Sequence, residues 1–158
     1  MGEGVELSEI EASEWLNCTA PQTLAALRGR VVAIEVFQML CPGCVAHGLP
    51  QVQKLRQTFR PEDVMVLGLH SVFEHHAAMT PVALRAFVHE YGIRFPVAVD
   101  QPGDTALPRT MAKWRLEGTP TLLLVDRRGR LRARHFGQVP DMALGAEVMA
   151  LVCDREEG

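Results

Sequence analysis

The sequence predicts an α/β fold: a mixed sheet with helices on both faces. Short, β-branched apolar runs alternate with segments whose apolar residues recur at helical spacing. The chain then closes on a hairpin followed by a helix, so the sheet must hold strands of both directions. At 158 residues, with nothing repeated and no low-complexity linker, the chain is long enough for a hydrophobic core without disulfide staples or a structural metal. One domain over 1–158 is expected, with 1–30 as an N-terminal extension packed on the core.

Within that extension, Glu14-Trp15-Leu16-Asn17 and a turn from Thr23 to Leu27 are expected to cap one end of the core, and Gly29 ends the approach. Val31 to Phe37 is β-branched and nearly all apolar, which suits a central strand covered on both faces. Val45, Leu49, Val52, Leu55 and Phe59 then follow a helical period, with Gly48 and Pro50 kinking the first turns and Pro61 stopping the helix. Val64 to Leu69 reads as a second buried strand. Pro81 opens a helix with Leu84, Phe87 and Val88 on one face, ended by Gly92, and Phe95 to Asp100 is a short third strand. Leu107 to Trp114 reads as a further helix, and Gly118-Thr119-Pro120 leads into the strand Thr121 to Val125. Asp126-Arg127-Arg128-Gly129 is a turn, Arg130 to Phe136 the returning strand, and Asp141 to Cys153 the closing helix.

A net charge of −3 and a pI near 6.1 argue against a broad basic face, so no nucleic-acid partner is expected. Met1-Gly2-Glu3-Gly4-Val5-Glu6 is acidic and carries neither the basic nor the apolar region of a secretory signal. No later apolar run is long enough to span a bilayer. A soluble, cytoplasmic chain without a membrane partner is therefore expected, with export left open if a leader has been removed. Four cysteines are too few for a disulfide scaffold, and Cys18 and Cys153 read as ordinary thiols.

Cys41-Pro42-Gly43-Cys44 concentrates the chemistry. It follows an apolar strand and opens a helix, so the first cysteine sits over unpaired backbone N–H groups and the positive end of the helix dipole. Both favour its thiolate, the attacking species. Cys41, at the helix start, is the expected nucleophile, and Pro42 suits the first helical position because its missing N–H would have had no partner. Cys44, one turn in, is the expected resolving thiol. Half of a zinc site is the alternative, but no second CxxC or paired-histidine motif completes four ligands. Glu35 is the second informative residue, because a carboxylate within a buried strand is costly unless paired or protonated. It is either a general base for Cys44 or an acid that reaches the strand end or pairs with an arginine.

These residues resemble the thioredoxin superfamily, and more narrowly its TlpA/ResA-like branch, over nearly the whole chain. Four features carry the resemblance: the strand ending in Cys41-Pro42-Gly43-Cys44, the helix and strand between Thr80 and Asp100, the Gly118-Thr119-Pro120 loop, and the hairpin from Leu122 to Arg130. It implies a three-layer α/β/α sandwich, a mixed central sheet and an extra helix-strand insertion between Thr80 and Asp100. It also implies thiol-disulfide exchange through Cys41 and Cys44, with no cofactor and no metal. Glu35 lies six residues before Cys41, where thioredoxins carry a buried acid that moves protons to and from the resolving cysteine. Pro120 resembles the cis-proline opposite the dithiol, which turns the backbone of Thr119 outward so that a substrate peptide can pair beside it. Thr119, Pro120, Pro42 and Gly43 are thus the expected substrate-binding residues. The implied partners are protein disulfides or dithiols and an electron donor that the sequence does not name.

Two departures stand out. Pro-Gly separates the cysteines, so no histidine lies between them to stabilise the thiolate, and Phe37-Gln38-Met39-Leu40 replaces the family's tryptophan-containing approach. A peroxiredoxin-like peroxidase is one rival, although that family carries a threonine three residues before its reactive cysteine and Gln38 stands there. A non-catalytic partner-binding or copper-handling module is another. His70, His75 and His76 read as a solvated loop rather than a metal site, and His47 could tune the dithiol or pack on the helix. Arg128, Arg130, Arg132 and Arg134 share one face of an outer strand, as an aggregation-protected edge requires. Trp15 and Trp114 read as packing residues.

Overall fold

The computed structural model describes residues 4–155; residues 1–3 of the acidic stretch, and 156–158 at the far end of the expected domain, lie outside them. The elements are β1 (Ala12–Leu16), β2 (Val31–Phe37), α1 (Leu49–Thr58), β3 (Val64–His70), α2 (Pro81–Glu90), β4 (Val97–Asp100), α3 (Arg109–Lys113), β5 (Thr121–Val125), β6 (Leu131–Phe136) and α4 (Asp141–Cys153). One six-stranded sheet runs in the order β1-β4-β3-β2-β5-β6. β2, β3 and β4 are parallel, whereas β1, β5 and β6 each pair antiparallel with their neighbours.

Every residue of β2 is buried, as its unbroken apolarity demands of a strand covered twice. Its side chains alternate between the two layers. Val31, Ala33 and Phe37 pack with Val52 of α1, Leu84 of α2 and Val148 of α4, while Val32, Ile34 and Val36 pack with Met111, Trp114 and the N-terminal Leu24 and Leu27. Three helices thus cover one face, and short α3 with the N-terminal segment covers the other. Trp114 is fully buried, and its indole N–H is satisfied by the Ser8 carbonyl at 3.2 Å and hydroxyl at 3.1 Å.

The N-terminal segment differs from expectation. Glu14 to Leu16, expected to cap the core, belong to strand β1, which pairs with β4 and closes that edge of the sheet. The outer edge of β4 offers unpaired backbone groups, and satisfying them outweighs the weak alternation of Ala12–Leu16. Asn17 follows with φ of 60° and donates from its amide to the carbonyls of Ile93 at 2.8 Å and Phe95 at 3.1 Å. The same segment also reaches the opposite edge, where the Leu131 N–H donates to the Val5 carbonyl at 2.8 Å. The third strand and following helix are shorter than their sequence patterns, at Val97–Asp100 and Arg109–Lys113. Asp100 is the reason α3 starts where it does: its buried carboxylate accepts from the N–H groups of Thr110 and Met111 at 2.8 and 2.9 Å and from the Ser71 hydroxyl at 2.8 Å.

The arginines of the β5–β6 hairpin are held within the chain. Asp126 receives Arg130 at 3.2 Å and Arg132 at 3.3 Å, and Arg134 donates to the Arg115 carbonyl at 2.6 Å. Among the described residues, no helix is long and apolar enough to cross a membrane.

Candidate active site

Phe37 ends β2, and Gln38 to Leu40 carry the chain to the first helical turn. Cys41 and Cys44 are joined as a disulfide with their Cα atoms 5.2 Å apart. Cys41 is half-buried and Cys44 fully buried. Pro42 and Gly43 lie between them on the first helical turn, with Pro42 exposed. The Cys41 carbonyl accepts from the Val45 N–H at 3.1 Å, and Cys41 Sγ accepts from the Cys44 N–H at 3.3 Å. The sulfur thus occupies the place of a helix-capping oxygen, with an orphan N–H pointed at it. Upon reduction, that N–H and the helix dipole face whatever charge Cys41 carries.

The kink expected at Gly48 and Pro50 takes the form of one wide turn, Cys44–Gly48, in which the Leu49 N–H donates to the Cys44 carbonyl five residues back. Pro50 explains it. Its ring lacks an N–H and would press on the carbonyl of Ala46 in a regular helix, and the wider turn relieves this.

Glu35 occupies the middle of β2, opposite Gly68 of β3 and Leu122 of β5. Alternation along the strand directs it to the α1 side. It is 2% exposed, and its Oε1 is the one buried side-chain oxygen or nitrogen among the described residues without a hydrogen-bond partner. Burial pushes its carboxyl well above the ordinary glutamate range. The arginine pairing weighed for it is absent, since no ion pair reaches it among the described residues. Gly48 makes room for it: a Cβ there would collide with Oε1 and lie 3.0 Å from the carboxyl carbon and 3.2 Å from Cβ of Pro120. From Glu35, a cleft of about 160 Å³ leads past His47 and Gln51 to the exposed ion pair of Lys54 and Asp141.

The Thr119–Pro120 peptide bond is cis. The proline ring lies against the dithiol turn, since a Cβ on Gly43 would stand 3.3 Å from its Cδ. Thr119 and Pro120 are half-buried, and Leu40, immediately before Cys41, is 54% exposed. The structure therefore brings Cys41, Pro42, Gly43, Cys44, Glu35 and Pro120 together, with Thr119 at the same end of β5.

His70 departs from the solvated loop expected for it. It is the last residue of β3, 1% exposed, and burial lowers its pKa to about 4. His75 and His76 are exposed, as is His47 on the helix. The signal that could have found His70 is its position directly after five apolar residues and a glycine, at the end of a parallel strand. Among the described residues, no three His, Cys, Asp or Glu side chains group closely enough to hold a metal ion. Cys18 and Cys153 are free thiols.

A family model for redoxins matches residues 12–148, nearly all of the sheet and its helices. The chain belongs to the redoxin family. It is thus a thioredoxin-superfamily protein of the TlpA/ResA-like kind, as the motif order implies. Among solved structures it is similar to a thioredoxin-like superfamily protein at 57% identity, covering 94% of this chain and 97% of that one with a TM-score of 0.93. It is likewise similar to a thiol-disulfide isomerase from Corynebacterium glutamicum at 51% identity, covering 96% and 98% of the two chains with a TM-score of 0.91. The thiol-disulfide oxidoreductase ResA of Bacillus thuringiensis is 24% identical over 115 residues, which are 73% of this chain and 60% of that protein. Overall the chain spans between 11% and 60% of the length of the curated relatives it matches.

Proposed function

We propose that this redoxin is a thiol-disulfide oxidoreductase that exchanges disulfides with protein substrates through Cys41 and Cys44. One observation carries the reading: the two sulfurs are bonded to each other at a helix start, one reachable from solvent and the other with no exposed surface. A buried Cys44 has no access to an outside partner, so its attack is confined to Cys41.

In the reducing direction, the Cys41 thiolate attacks one sulfur of the substrate disulfide and expels the other as a thiolate. Cys44 then loses its proton and attacks Cys41 Sγ, closing the Cys41–Cys44 bond and releasing the second substrate thiolate. Two electrons leave the dithiol and two enter the substrate. Glu35 is the proton acceptor for Cys44 in this scheme. Its raised pKa supports the assignment, because a base works best when its affinity for the proton approaches the working pH. The cleft from Glu35 to the Lys54 and Asp141 pair gives that proton a route to solvent. Thr119 offers its backbone to an extended substrate segment, while Pro42, Gly43 and Pro120 form the surface against which the reacting sulfur rests. In a reducing, cytoplasmic setting the dithiol is the working form and the protein acts as a reductase.

Insulin-disulfide reduction driven by dithiothreitol tests the reading, run beside Cys41→Ser and Cys44→Ser. Wild type should precipitate insulin faster than either variant, and Cys44→Ser should accumulate a mixed disulfide through Cys41. Equal rates for wild type and Cys41→Ser would reject catalysis in favour of a binding module. Titrating the dithiol against a glutathione buffer reads the direction of electron flow.

A further inference from the structure

The backbone that delivers Cys41 is tied at four points to the last residue of β3 and the segment that follows it. The Ser71 N–H donates to the Phe37 carbonyl at 3.1 Å, and the Phe73 N–H to Gln38 Oε1 at 3.1 Å. The Met39 N–H donates to His70 Nε2 at 3.3 Å, and the Leu40 N–H points at Met79 Sδ at 3.5 Å. Of the two contacts nearest the cysteine, the thioether is a weak acceptor and its side chain has three rotatable bonds. The imidazole nitrogen is the strong, rigid one. Its ring lies 5.1 Å from that of Phe37, which in turn stacks on Phe87 of α2 at 6.4 Å, so its plane is set by packing. Met39 is 9% exposed, leaving little water to replace the imidazole as acceptor.

We propose that His70 is a positioning residue for the dithiol: neutral and protonated on Nδ1, it accepts the Met39 N–H and so fixes the backbone two residues before Cys41. The helix start can favour the Cys41 thiolate only if Sγ stays over its N–H groups. That register depends on the three residues that join β2 to the turn, and His70 holds the middle one. The inference rests on Cys41 being the reactive thiol, but the bond itself does not depend on any substrate.

Two measurements test it. In wild type, ¹⁵N chemical shifts of the His70 ring should show an unprotonated, hydrogen-bonded Nε2 and a protonated Nδ1 at pH 7. The opposite tautomer overturns the proposal without reference to catalysis. Alkylation of reduced Cys41 by iodoacetamide across pH gives the second. His70→Leu, which fills the space but cannot accept, should slow the reaction at pH 7 by roughly two- to tenfold, the range one hydrogen bond spans, and move the midpoint of the pH profile upward. His70→Gln, whose carbonyl can replace Nε2 as acceptor, should restore rate and midpoint toward wild type. An unchanged profile in folded His70→Leu, or equal losses in both variants, would refute the positioning role. If His70→Leu does not fold, the wild-type tautomer and the His70→Gln profile decide. Failure of insulin reduction with the correct tautomer and profile would instead reject the catalytic reading alone.

Discussion

His70 makes acid stability calculable. Its pKa falls from 6.5 to about 4 upon folding, because burial disfavours the imidazolium. Between those values the unfolded chain binds a proton that the native protein refuses, so native stability declines as the pH is lowered through this window. The full difference, 6.5 minus about 4, is about 2.5 pH units and corresponds to about 3 kcal/mol. About 2 kcal/mol of it is lost between pH 7 and pH 5. His70→Gln removes the titration while keeping a polar side chain of similar reach. Urea unfolding of both proteins at half-unit steps from pH 7.5 to 5 therefore isolates the His70 contribution, since every other titratable group, the five remaining histidines included, is common to both. Wild type should lose about 2 kcal/mol relative to the variant over that range, a midpoint shift of about 1 M urea for a protein of this size. Parallel pH profiles would refute this, showing that His70 is not held neutral by burial.

Glu35→Gln should reverse that sign. Wild type, whose buried acid must ionise or unfold as the pH rises, should lose stability relative to the variant as the pH climbs above the ordinary glutamate range, by about 1.4 kcal/mol for each unit by which burial raises the pKa; stopped-flow thiol exchange should show resolution by Cys44 slowed more than attack by Cys41, and equal slowing would count against its role as base. Gly48→Ala should destabilise by about 1–3 kcal/mol, because the new methyl collides with Glu35 Oε1 and crowds Pro120. Thermal unfolding would register this as a fall of roughly 2–4 °C per kcal/mol, and an unchanged midpoint would mean that the carboxyl is free to move aside.

Elements with strong local signals were legible in advance. Val31–Phe37 declares itself by unbroken apolarity, Asp141–Cys153 by its period, and the dithiol turn by two cysteines at a strand-to-helix junction. β1 was not, because Ala12–Leu16 has no decisive pattern of its own and becomes a strand only when β4 presents an open edge. The wide turn at Cys44–Gly48 was legible as a disturbance, since Pro50 forbids a regular turn, but the packing of Gly48 against Glu35 and Pro120 was not, because those residues come from elsewhere in the chain.

The sequence by itself determined the α/β class and the order of the elements, and singled out Cys41 and Cys44 as the candidate pair, because these follow from periodicity and from the chemistry of two thiols beside a helix start. Only the tertiary structure decided that His70 leaves water to hold Met39 and that the Glu35 carboxyl has an unpartnered oxygen. The physical reason is that burial and hydrogen-bond partnership are properties of what packs against a residue, and those neighbours lie thirty or more positions away along the chain for the Met39–His70 bond as for the Pro120 ring over Gly43.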